Sequence, residues 1–377
     1  MKTVKILHCA DLHIGAEESF LGTKSKERRF ETLLTFERTV DEAKQRGTQI
    51  FLIAGDLLDS NNIEKEFING ILDCINEARD IRFIYVAGNH DPLNCLSPFS
   101  VISELPENLY IFPTKNYVLT FEDLNVKIYG KSFSEVFCKG EDRFTLPADS
   151  DYLNILCIHG ELDGEMSGNY NCIKREFIEN SKMDYIALGH IHKRSGIKNI
   201  NGTYFAYSGC MEGHGFDETG EKGVYIGEIG KNFCSLEFFR TSKRLYLTEE
   251  IDITGLKDEK EVCEKILADL KQKYDDFSEN LYKIILKGSY EESKKFKSEE
   301  ISVRLNEKLY FCKIIDNSVL SVDLKALSSE NTLKGLFVKK MLEKTENSEG
   351  CEKEALLKAL NIGLTAFDGE VSFDEDN

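Results

Sequence analysis

The sequence lacks the cysteine pattern and the long apolar runs that mark several classes of protein. Its 11 cysteines are odd in number, scattered and never arranged as CxxC, which argues against a disulfide framework and against a zinc ribbon. No apolar stretch approaches the ~20 residues of a membrane span. His8, Asp11 and His13 would interrupt the apolar segment of a signal peptide. We therefore expect reduced thiols and a cytoplasmic protein that does not enter a membrane.

An excess of basic residues is also missing, because 48 Lys and Arg stand against 66 Asp and Glu and give a net charge of -18. Proteins that coat nucleic acid without specificity use many Lys and Arg to neutralise phosphates, so the composition argues against that class. An acidic enzyme can still act on a polyanion. It then needs bound cations or a local basic surface where the phosphates lie.

Down to about residue 240, the sequence alternates short apolar runs with amphipathic stretches. The runs QIFLIAG (49–55) and RFIYVAG (82–88) flank an amphipathic stretch over 62–79, which is α/β patterning. These runs are apolar throughout, as expected for strands that are covered on both faces. We predict an α/β domain over residues 1–240.

The remaining residues predict a smaller α/β domain over 245–325 and a helical segment over 330–377. In the smaller domain, strand and helix patterns alternate in the order β-α-β-α-β. The strands are predicted at 245–254, 281–288 and 310–315, and the helices around 262–270 and over 291–308. Two amphipathic segments follow at 333–342 and 355–364, and the chain ends in the acidic stretch DGEVSFDEDN, which has no core pattern.

Side chains that bind metals follow five of the predicted strands. An apolar run ends, usually a small residue follows, and a carboxylate, amide or imidazole comes next. Because ligands collect beyond the carboxyl ends of strands in α/β sheets, we expect these side chains to converge. A glycine before a ligand lets the backbone turn sharply there. The runs are ILHCADLH (Asp11, His13), FLIAGD (Asp56), IYVAGNHD (Asn89, His90, Asp91), ILCIHG (His159) and YIALGHIH (His190, His192).

Any one of these residues has a plainer interpretation, since a lone histidine is often structural and Asp56 and Asp91 also suit turns. The set as a whole indicates a metal site, because its groups are complementary and include no thiolate. That mixture suits Mn, Fe or Zn in a catalytic centre. The candidate ligands are too many for one ion but suffice for two that share a carboxylate. A metal pair ~3.5 to 4 Å apart activates water and polarises a phosphate, so the predicted chemistry is phosphoester hydrolysis.

Two further expectations come from the two-residue period of extended chains. His190 and His192 point to the same side of an extended segment, so each can serve a different ion of the pair. Asp11 and His13 share one parity and should face together if the first strand continues past its end. His8 has the opposite parity, so we expect it to pack in the structure without binding metal.

The chain resembles the calcineurin-like metallophosphoesterases in five motifs that occur in order: D-x-H (11–13), GD (55–56), GNHD (88–91), H (159) and GHxH (189–192). The longer contexts ILHCADLHIG, GDLLD and LGHIHKR are similar to the SbcD-type branch, the nuclease subunit of the SbcCD double-strand-break repair complex. The chain also resembles the YhaO-like DNA repair exonucleases through YSGCMEGHGFDETGEKGVYIGEI (207–229) and ALNIGLTAFDGEV (359–371).

This resemblance implies a fold and a role for each residue. The fold is an α/β sandwich of two β-sheets flanked by helices, followed by a small α/β capping domain and a helical C-terminal segment. The implied ligands are Asp11, His13 and His192 for one metal ion, Asn89, His159 and His190 for the other, and Asp56 as the bridge. His90 would act as general acid or charge stabiliser at the phosphate, oriented by Asp91.

The reaction implied is hydrolysis of DNA with two divalent ions, by a 3'-to-5' exonuclease that also has single-strand endonuclease activity. The resemblance favours Mn²⁺ and leaves Fe²⁺, Zn²⁺ and Mg²⁺ open. It also implies a homodimer and an SbcC-type coiled-coil ATPase as the partner of the C-terminal segment.

Other members of the wider family share the five motifs. Cyclic-nucleotide phosphodiesterases and small-molecule phosphoesterases stay open as the alternative, although the residues after Arg240 favour a cap and a partner surface. Protein phosphatases fit less well, because they carry Arg-Gly after GD and Glu in GNHE, where this chain has GDLLDS and GNHD. A scaffold that has lost its metals would lack ligands, and none is missing.

Basic residues near the predicted metal loops are candidates for contacts with a DNA backbone. They are Arg28 and Arg29 in TKSKERR (23–29) and Lys193 and Arg194 in HKRSG (192–196). For the first pair, a solvated helix face is an equally good interpretation. The apolar residues of the two C-terminal segments could likewise pack on this chain or lie in a groove of a partner.

Overall fold

The structure is a computed structural model that describes residues 2–137, 147–163, 172–290, 296–321 and 324–367. The described residues form two compact units that divide between Tyr246 and Leu247. The acidic stretch at 368–377 and the start of the helix predicted from residue 291 lie outside the described residues. Within the described ranges, no helix is both long enough and apolar enough to cross a membrane.

Two large mixed β-sheets flanked by helices make up the first unit. Its strands are β1 (Thr3–Cys9), β2 (Ile50–Ala54), β3 (Arg82–Val86), β4 (Leu109–Ile111), β5 (Tyr117–Phe121), β6 (Val126–Lys131), β7 (Leu153–His159), β8 (Glu161–Leu162), β9 (Cys172–Ile173), β10 (Tyr185–Gly189), β11 (Lys198–Ile200), β12 (Thr203–Tyr207), β13 (Gly223–Gly230) and β14 (Phe233–Arg240). Its helices are α1 (Ser25–Arg46), α2 (Lys65–Glu77), α3 (Pro98–Val101) and α4 (Arg175–Ser181), with a 3₁₀ helix over Ser19–Lys24.

Parallel strands form the centre of each sheet. The first sheet has the order β14-β13-β1-β2-β3-β4, with β1 to β4 parallel. The second has the order β11-β12-β10-β7-β6-β5, with β6, β7, β10 and β12 parallel. This is the two-sheet α/β architecture that the resemblance predicts. Since parallel strands end at one edge of a sheet, the residues that follow them collect there.

Each sheet is covered on both faces, which explains why its strands are apolar throughout. On β1, Leu7 faces the core formed with α1 and α2, whereas Ile6 faces the core between the two sheets. His8 is fully buried, and its ring contacts the hydroxyl of Tyr185 (2.9 Å) and the carbonyl oxygen of Leu188 (3.2 Å) in the second sheet. Burial lowers the pKa of His8 to about 3, so this histidine is neutral and packs between the sheets.

The second unit contains a small sheet of order β15-β16-β18 with helices packed on it. Its strands are β15 (Tyr246–Asp252), β16 (Leu281–Lys287), β17 (Ser289–Tyr290), β18 (Phe311–Asp316) and β19 (Val319–Leu320). Its helices are α5 (Glu259–Lys273), α6 (Ser298–Asn306), α7 (Leu324–Ser328), α8 (Leu333–Glu346) and α9 (Gly350–Phe367), with a 3₁₀ helix over Phe277–Glu279. Helices α5 and α6 separate the strands of the sheet in the order β-α-β-α-β.

Helices α8 and α9 pack against each other through Val338, Leu360 and Leu364. Both C-terminal amphipathic segments therefore bury apolar side chains within this chain. A second group of apolar side chains on the same helices stays exposed, and we call it the exposed apolar set: Leu333, Leu336, Leu357 and Ile362.

Candidate metal centre

Loops at the carboxyl ends of the parallel strands carry ligand-type side chains from both sheets. The loops after β1, β2 and β3 contribute from the first sheet, and the ends of β7 and β10 contribute from the second. The residues are Asp11, His13, Asp56 and Asn89 from the first sheet and His159, His190 and His192 from the second. All except His190 and His192 are buried.

One cluster joins Asp11 and His13 to His192 of the other sheet. The Nε2 atoms of His13 and His192 lie 3.1 Å apart, and the ligand atoms of the three residues all lie within 4.8 Å of one another. Two ring nitrogens that face each other need a proton or a metal ion between them, because their lone pairs repel. On the far side of its ring, His192 Nδ1 pairs with the carboxylate of Glu218. Such a partner fixes the orientation of a metal-binding imidazole.

A second cluster joins Asn89 to His159 and His190. Oδ1 of Asn89 lies 2.9 Å from Nε2 of His159 and 3.1 Å from Nδ1 of His190. The carbonyl oxygen of Ala54 accepts a hydrogen bond of 2.9 Å from Nδ1 of His159, which leaves Nε2 to face the cluster. The two clusters contain the same residues that the resemblance assigns to two separate ions.

Asp56 lies between the two clusters. Its Oδ2 is 3.8 Å from Nε2 of His13 in the first and 3.3 Å from Nε2 of His159 in the second. Burial raises the pKa of Asp56, but the charge and hydrogen bond of His159 together with the charges of His13 and His90 outweigh burial and lower it. Burial likewise lowers the pKa of His159, but Asp56 and Asp11 raise it to about 9. The buried carboxylates of Asp11 and Asp56 therefore need nearby positive charge to be stable in their ionised form.

Divalent metal ions fit this demand. None of the Lys or Arg side chains in the described ranges forms an ion pair with Asp11 or Asp56. The positive charge must come from protonated imidazoles or from bound cations. The donor atoms are carboxylate and amide oxygens with imidazole nitrogens, a set that suits Mn²⁺, Fe²⁺ or Zn²⁺.

Four of these residues have a positive φ, and three of them, Asp11, His13 and His190, lie where the extended-chain argument expects the backbone to run on. Asp11, His13, Asp56 and His190 have φ of 52°, 44°, 50° and 102°. A positive φ is uncommon outside glycine and collects at functional sites. The N–H groups of Leu12 (2.8 Å) and His13 (3.0 Å) both donate to the carbonyl oxygen of Asp56. The extended-chain explanation of why Asp11 and His13 face together is therefore wrong. They reach the centre because the loop after β1 is hydrogen-bonded to the loop after β2.

The glycines before the ligands allow sharp turns, and they also leave space that a side chain would fill. Gly55 has a φ of 97°, as expected for a sharp turn, and a Cβ there would lie 2.1 Å from Nδ1 of His159. Gly189 needs no positive φ, but a Cβ there would lie 1.8 Å from the carbonyl oxygen of Ala54 in the other sheet. At Gly189 the absent side chain therefore lets the two sheets approach at the centre.

His90 lines a cleft of about 320 Å³ beside the first cluster. Its side chain is 45% exposed, and its ring centroid lies 4.5 Å from that of His13. The N–H of His90 donates to Oδ1 of Asp56 (2.9 Å), and its ring Nδ1 donates to the carbonyl oxygen of Asp59 (3.0 Å). A ligand atom of His90 also lies within 4.8 Å of those of His13 and Asp56. The contact with Asp59 leaves Nε2 as the ring nitrogen available for chemistry.

The prediction that Asp91 orients the His90 ring needs correction. The carboxylate of Asp91 is buried, and within the described residues it accepts hydrogen bonds only from groups of neighbouring loops and strands. The donors are the hydroxyl of Tyr85 (2.6 Å) and the N–H groups of Leu58 (3.0 Å) and Gly88 (2.7 Å). Because three donors occupy this carboxylate, Asp91 positions the backbone of the loop that carries His90.

Sequence reasoning missed three residues beside the centre. Oδ1 of Asp59 lies 3.3 Å from Nδ1 of His13, and the ring centroid of His214 lies 5.6 Å from that of His13. Although burial raises the pKa of Glu218, its hydrogen bond with His192 and the positive charges of His192 and His214 together lower it to about 2. The motifs GDLLD and HGFDETG contain these residues. Neither motif has the hydrophobic spacing of a helix or of a strand. The sequence therefore gives no sign that these residues lie beside the centre.

Comparison with known proteins identifies the family. Residues 4–194, which contain both clusters, match the calcineurin-like phosphoesterases. The chain belongs to this family. Calcineurin-like phosphoesterases are hydrolases that use a dinuclear metal centre, so the two clusters are the candidate positions of its ions.

Individual relatives of this phosphoesterase resemble it at modest identity. The uncharacterized metallophosphoesterase YhaO of Bacillus subtilis is 28% identical over 271 residues, which cover 67% of this chain and 64% of that protein. The DNA double-strand break repair protein Mre11 of Methanopyrus kandleri is 23% identical over 288 residues, covering 70% and 62%. The chain thus spans less than two thirds of the length of both relatives. A crystal structure of TT1561 of Thermus thermophilus overlaps 63% of this chain and 99% of that one at a TM-score of 0.40 and 10% identity, too low for a functional comparison.

Arg28 does not lie where this phosphoesterase could use it to bind DNA. Its side chain is fully buried, and three carboxylates surround its guanidinium group. The distances are 3.5 Å to Glu18, 3.1 Å to Glu31 and 3.0 Å to Glu212. The prediction of a DNA contact is therefore wrong for Arg28, because a buried and neutralised guanidinium cannot reach a phosphate backbone.

The guanidinium group of Arg29 is also engaged in hydrogen bonds within the chain, whereas Lys193 and Arg194 are exposed to solvent. Both NH groups of Arg29 bond to the Glu64 carboxylate (2.6 and 2.7 Å), and its Nε donates to the carbonyl oxygen of Gly15 (2.6 Å). Using Arg29 for DNA would break these bonds, so the structure argues against that role. Lys193 and Arg194 are exposed, directly after a ligand of the first cluster.

Replacing Arg28 by methionine should lower the free energy of unfolding by about 3 to 5 kcal/mol, because the change removes the closest cation from the buried carboxylates of Glu18 and Glu212. The Arg29→Met variant is the matched control. Its pair with Glu64 is half exposed, so we expect a loss of about 1 kcal/mol or less. Urea denaturation followed by circular dichroism measures both values. Equal losses in the two variants would contradict the structural role given to Arg28.

Proposed function

We propose that this phosphoesterase is a metal-dependent DNA nuclease of the SbcD type. The observation that carries the proposal is the convergence of two metal-ligand clusters on Asp56 beside an open cleft. The choice of DNA is supported by the relatives named as double-strand break repair proteins, whose similarity extends beyond the family domain that ends at residue 194. We further propose 3'-to-5' exonuclease and single-strand endonuclease activities in cytoplasmic double-strand-break repair.

The proposed mechanism assigns a task to each group in the centre. Asp11, His13 and His192 would hold one ion and Asn89, His159 and His190 the other, with Asp56 shared between them. When bound, the ions, Mn²⁺ by resemblance, supply a water nucleophile at neutral pH and neutralise charge on the phosphate. From the cleft, Nε2 of His90 donates a proton to the leaving oxygen or stabilises its charge.

The second unit is proposed to act as a cap over residues 245–325 and as a docking segment over 330–377. The exposed apolar set on α8 and α9 supports the second role, because Leu333 is 74% exposed and Leu336 is 50% exposed. Exposed leucines on helices suit a helix-to-helix contact, and the proposed partner is an SbcC-type coiled-coil ATPase. A homodimer is the proposed assembly of the nuclease itself.

A panel of substrates tests the proposed reaction. Labelled duplex DNA, single-stranded DNA, cyclic dinucleotides, cAMP and p-nitrophenyl phosphate esters are incubated with the full chain and Mn²⁺. We expect cleavage of DNA to mononucleotides from the 3' end. Hydrolysis restricted to the small cyclic nucleotides would overturn the nuclease proposal in favour of a cyclic-nucleotide phosphodiesterase.

A further inference from the structure

A second cavity of about 190 Å³ lies beside the metal centre. His192 lines both this cavity and the cleft that contains His90, so the two spaces meet at a proposed ligand. The other charged residues that line it are Lys193, Arg194, Lys222 and Glu221. Three cations against one carboxylate are a local excess of positive charge in a chain of net charge -18.

Lys222 is the unusual member of this group. Only 8% of it is exposed, and among the described residues its ammonium group has no hydrogen-bond or ion-pair partner. Removing a charge from water without a partner is costly, so buried cations are normally paired. Arg28 of the same unit follows that rule with three carboxylates, whereas Lys222 does not. The side chain of Lys222 is mostly covered while its ammonium still reaches solvent at the cavity wall, where an anionic ligand can pair with it.

Arg194 and Lys193 extend the same positive surface. The guanidinium carbon of Arg194 lies 3.8 Å from the ring centroid of Phe238. This contact orients the side chain without cancelling its charge. Within the described ranges, no carboxylate pairs with Lys193 or Arg194, and the exposed Glu221 pairs with none of the three cations.

The walls of the cavity are held together by backbone contacts. The N–H of Cys210 donates to the carbonyl oxygen of His192 (3.2 Å). A Cβ on Gly209 would lie 2.8 Å from that carbonyl oxygen and 2.9 Å from the backbone nitrogen of Arg194. The segment before Lys222 therefore packs directly on the loop that carries Lys193 and Arg194. The three cations therefore lie in a cavity beside the centre whose walls are held in place by backbone contacts.

We infer that this cavity binds a phosphate of the substrate strand next to the phosphate that is cut, with Lys222 as its buried contact and Lys193 and Arg194 at its mouth. The inference rests on the proposed nuclease function and specifies how that site holds its strand. A phosphodiester carries one negative charge and accepts hydrogen bonds from ammonium and guanidinium groups, which is what these three side chains offer.

The test is salt-dependent binding of a labelled single-stranded oligonucleotide. Binding is measured by fluorescence anisotropy on the full chain with Mn²⁺, in the His90→Ala background so that the strand is not cut. We expect Lys222→Met to weaken binding about tenfold, as for a lost hydrogen bond between charged groups. The slope of log K against log salt should fall in magnitude by about 0.7, the value for one contact to a single strand.

Three further variants make the result specific. Lys222→Arg should restore binding, and Lys271→Met, which removes an exposed charge on α5, should match the parent in slope. If Lys222→Met does not fold, the exposed Lys193→Met tests the same cavity and should also reduce the slope. An unchanged slope in the cavity variants while DNA still binds would overturn the phosphate subsite alone. Failure of the parent to bind the oligonucleotide would overturn the nuclease proposal and the subsite with it.

Discussion

Replacement of Asp56 by asparagine is expected to empty or scramble both proposed metal sites and to remove hydrolysis. Oδ2 of Asp56 faces His13 at 3.8 Å and His159 at 3.3 Å, so it is the group that the two clusters share. Metal ions contribute several kcal/mol to such reactions, so we expect kcat to fall on the order of 10³-fold or more. Asparagine has nearly the same shape and can still accept the hydrogen bond from the N–H of His90.

Metal content and activity should be measured on the same preparation of the Asp56→Asn variant. Elemental analysis after dialysis gives the number of ions per chain, and circular dichroism verifies the fold. Asp73→Asn on the exposed side of α2 makes the same chemical change away from the centre, and should keep both metal and activity. Two ions per chain with normal turnover in Asp56→Asn would show that this carboxylate is not the bridge.

Replacement of His90 by alanine is expected to leave the metal content unchanged and to lower turnover by about 10² to 10⁴-fold, the usual contribution of a general acid or base. His90 is half exposed at the cleft, and its Nδ1 is engaged by the carbonyl oxygen of Asp59. Removing the ring therefore takes away a group that faces substrate without opening the buried clusters.

The leaving group distinguishes the two roles open to His90. A nucleoside oxygen needs a proton to depart, whereas p-nitrophenolate departs without one. If His90 is a general acid, His90→Ala should lose much more activity on DNA than on bis(p-nitrophenyl) phosphate. Equal losses on the two substrates would assign charge stabilisation instead. Loss of metal from this variant would mean that His90 is a ligand, and wild-type turnover would exclude both roles.

The α/β patterning and the convergence of ligand-type side chains could be predicted from local patterns in the sequence, whereas the two-sheet arrangement and the assignment of ligands to each ion came from the resemblance. Apolar runs mark strands covered on two faces, and polar residues directly after them collect at the edge where parallel strands end. Because Asp11, Asp56 and His159 each come at the end of a predicted strand, the sequence is enough to expect them at the same edge. Within β1 the two-residue period holds, and His8 packs between the sheets as its parity predicts.

Contacts between distant parts of the chain could not be predicted in this way. Arg28 looks like part of a basic cluster, and only the folded structure shows Glu212, which is 184 residues away in sequence, against its guanidinium. The backbone also leaves its regular period at the centre, since Asp11 and His190 have positive φ. Arguments from parity fail there, although the residue types still indicate the chemistry.

Each of the proposed ions would take ligands from both sheets. The hydrophobic core between the sheets therefore helps to hold these ligands in position relative to one another. Side chains such as Ile84, Ile155 and Ala187 are fully buried between the sheets and carry no group that could bind a metal. Because protein interiors are close-packed, a change of one methylene group there shifts the structure around it. The separation of the two sheets, and with it the distance between ligand-type side chains of the two sheets, therefore depends on the volume of these apolar side chains. If the two clusters hold the proposed ions, we expect substitutions in this core to change the activity even though they lie far from the phosphate.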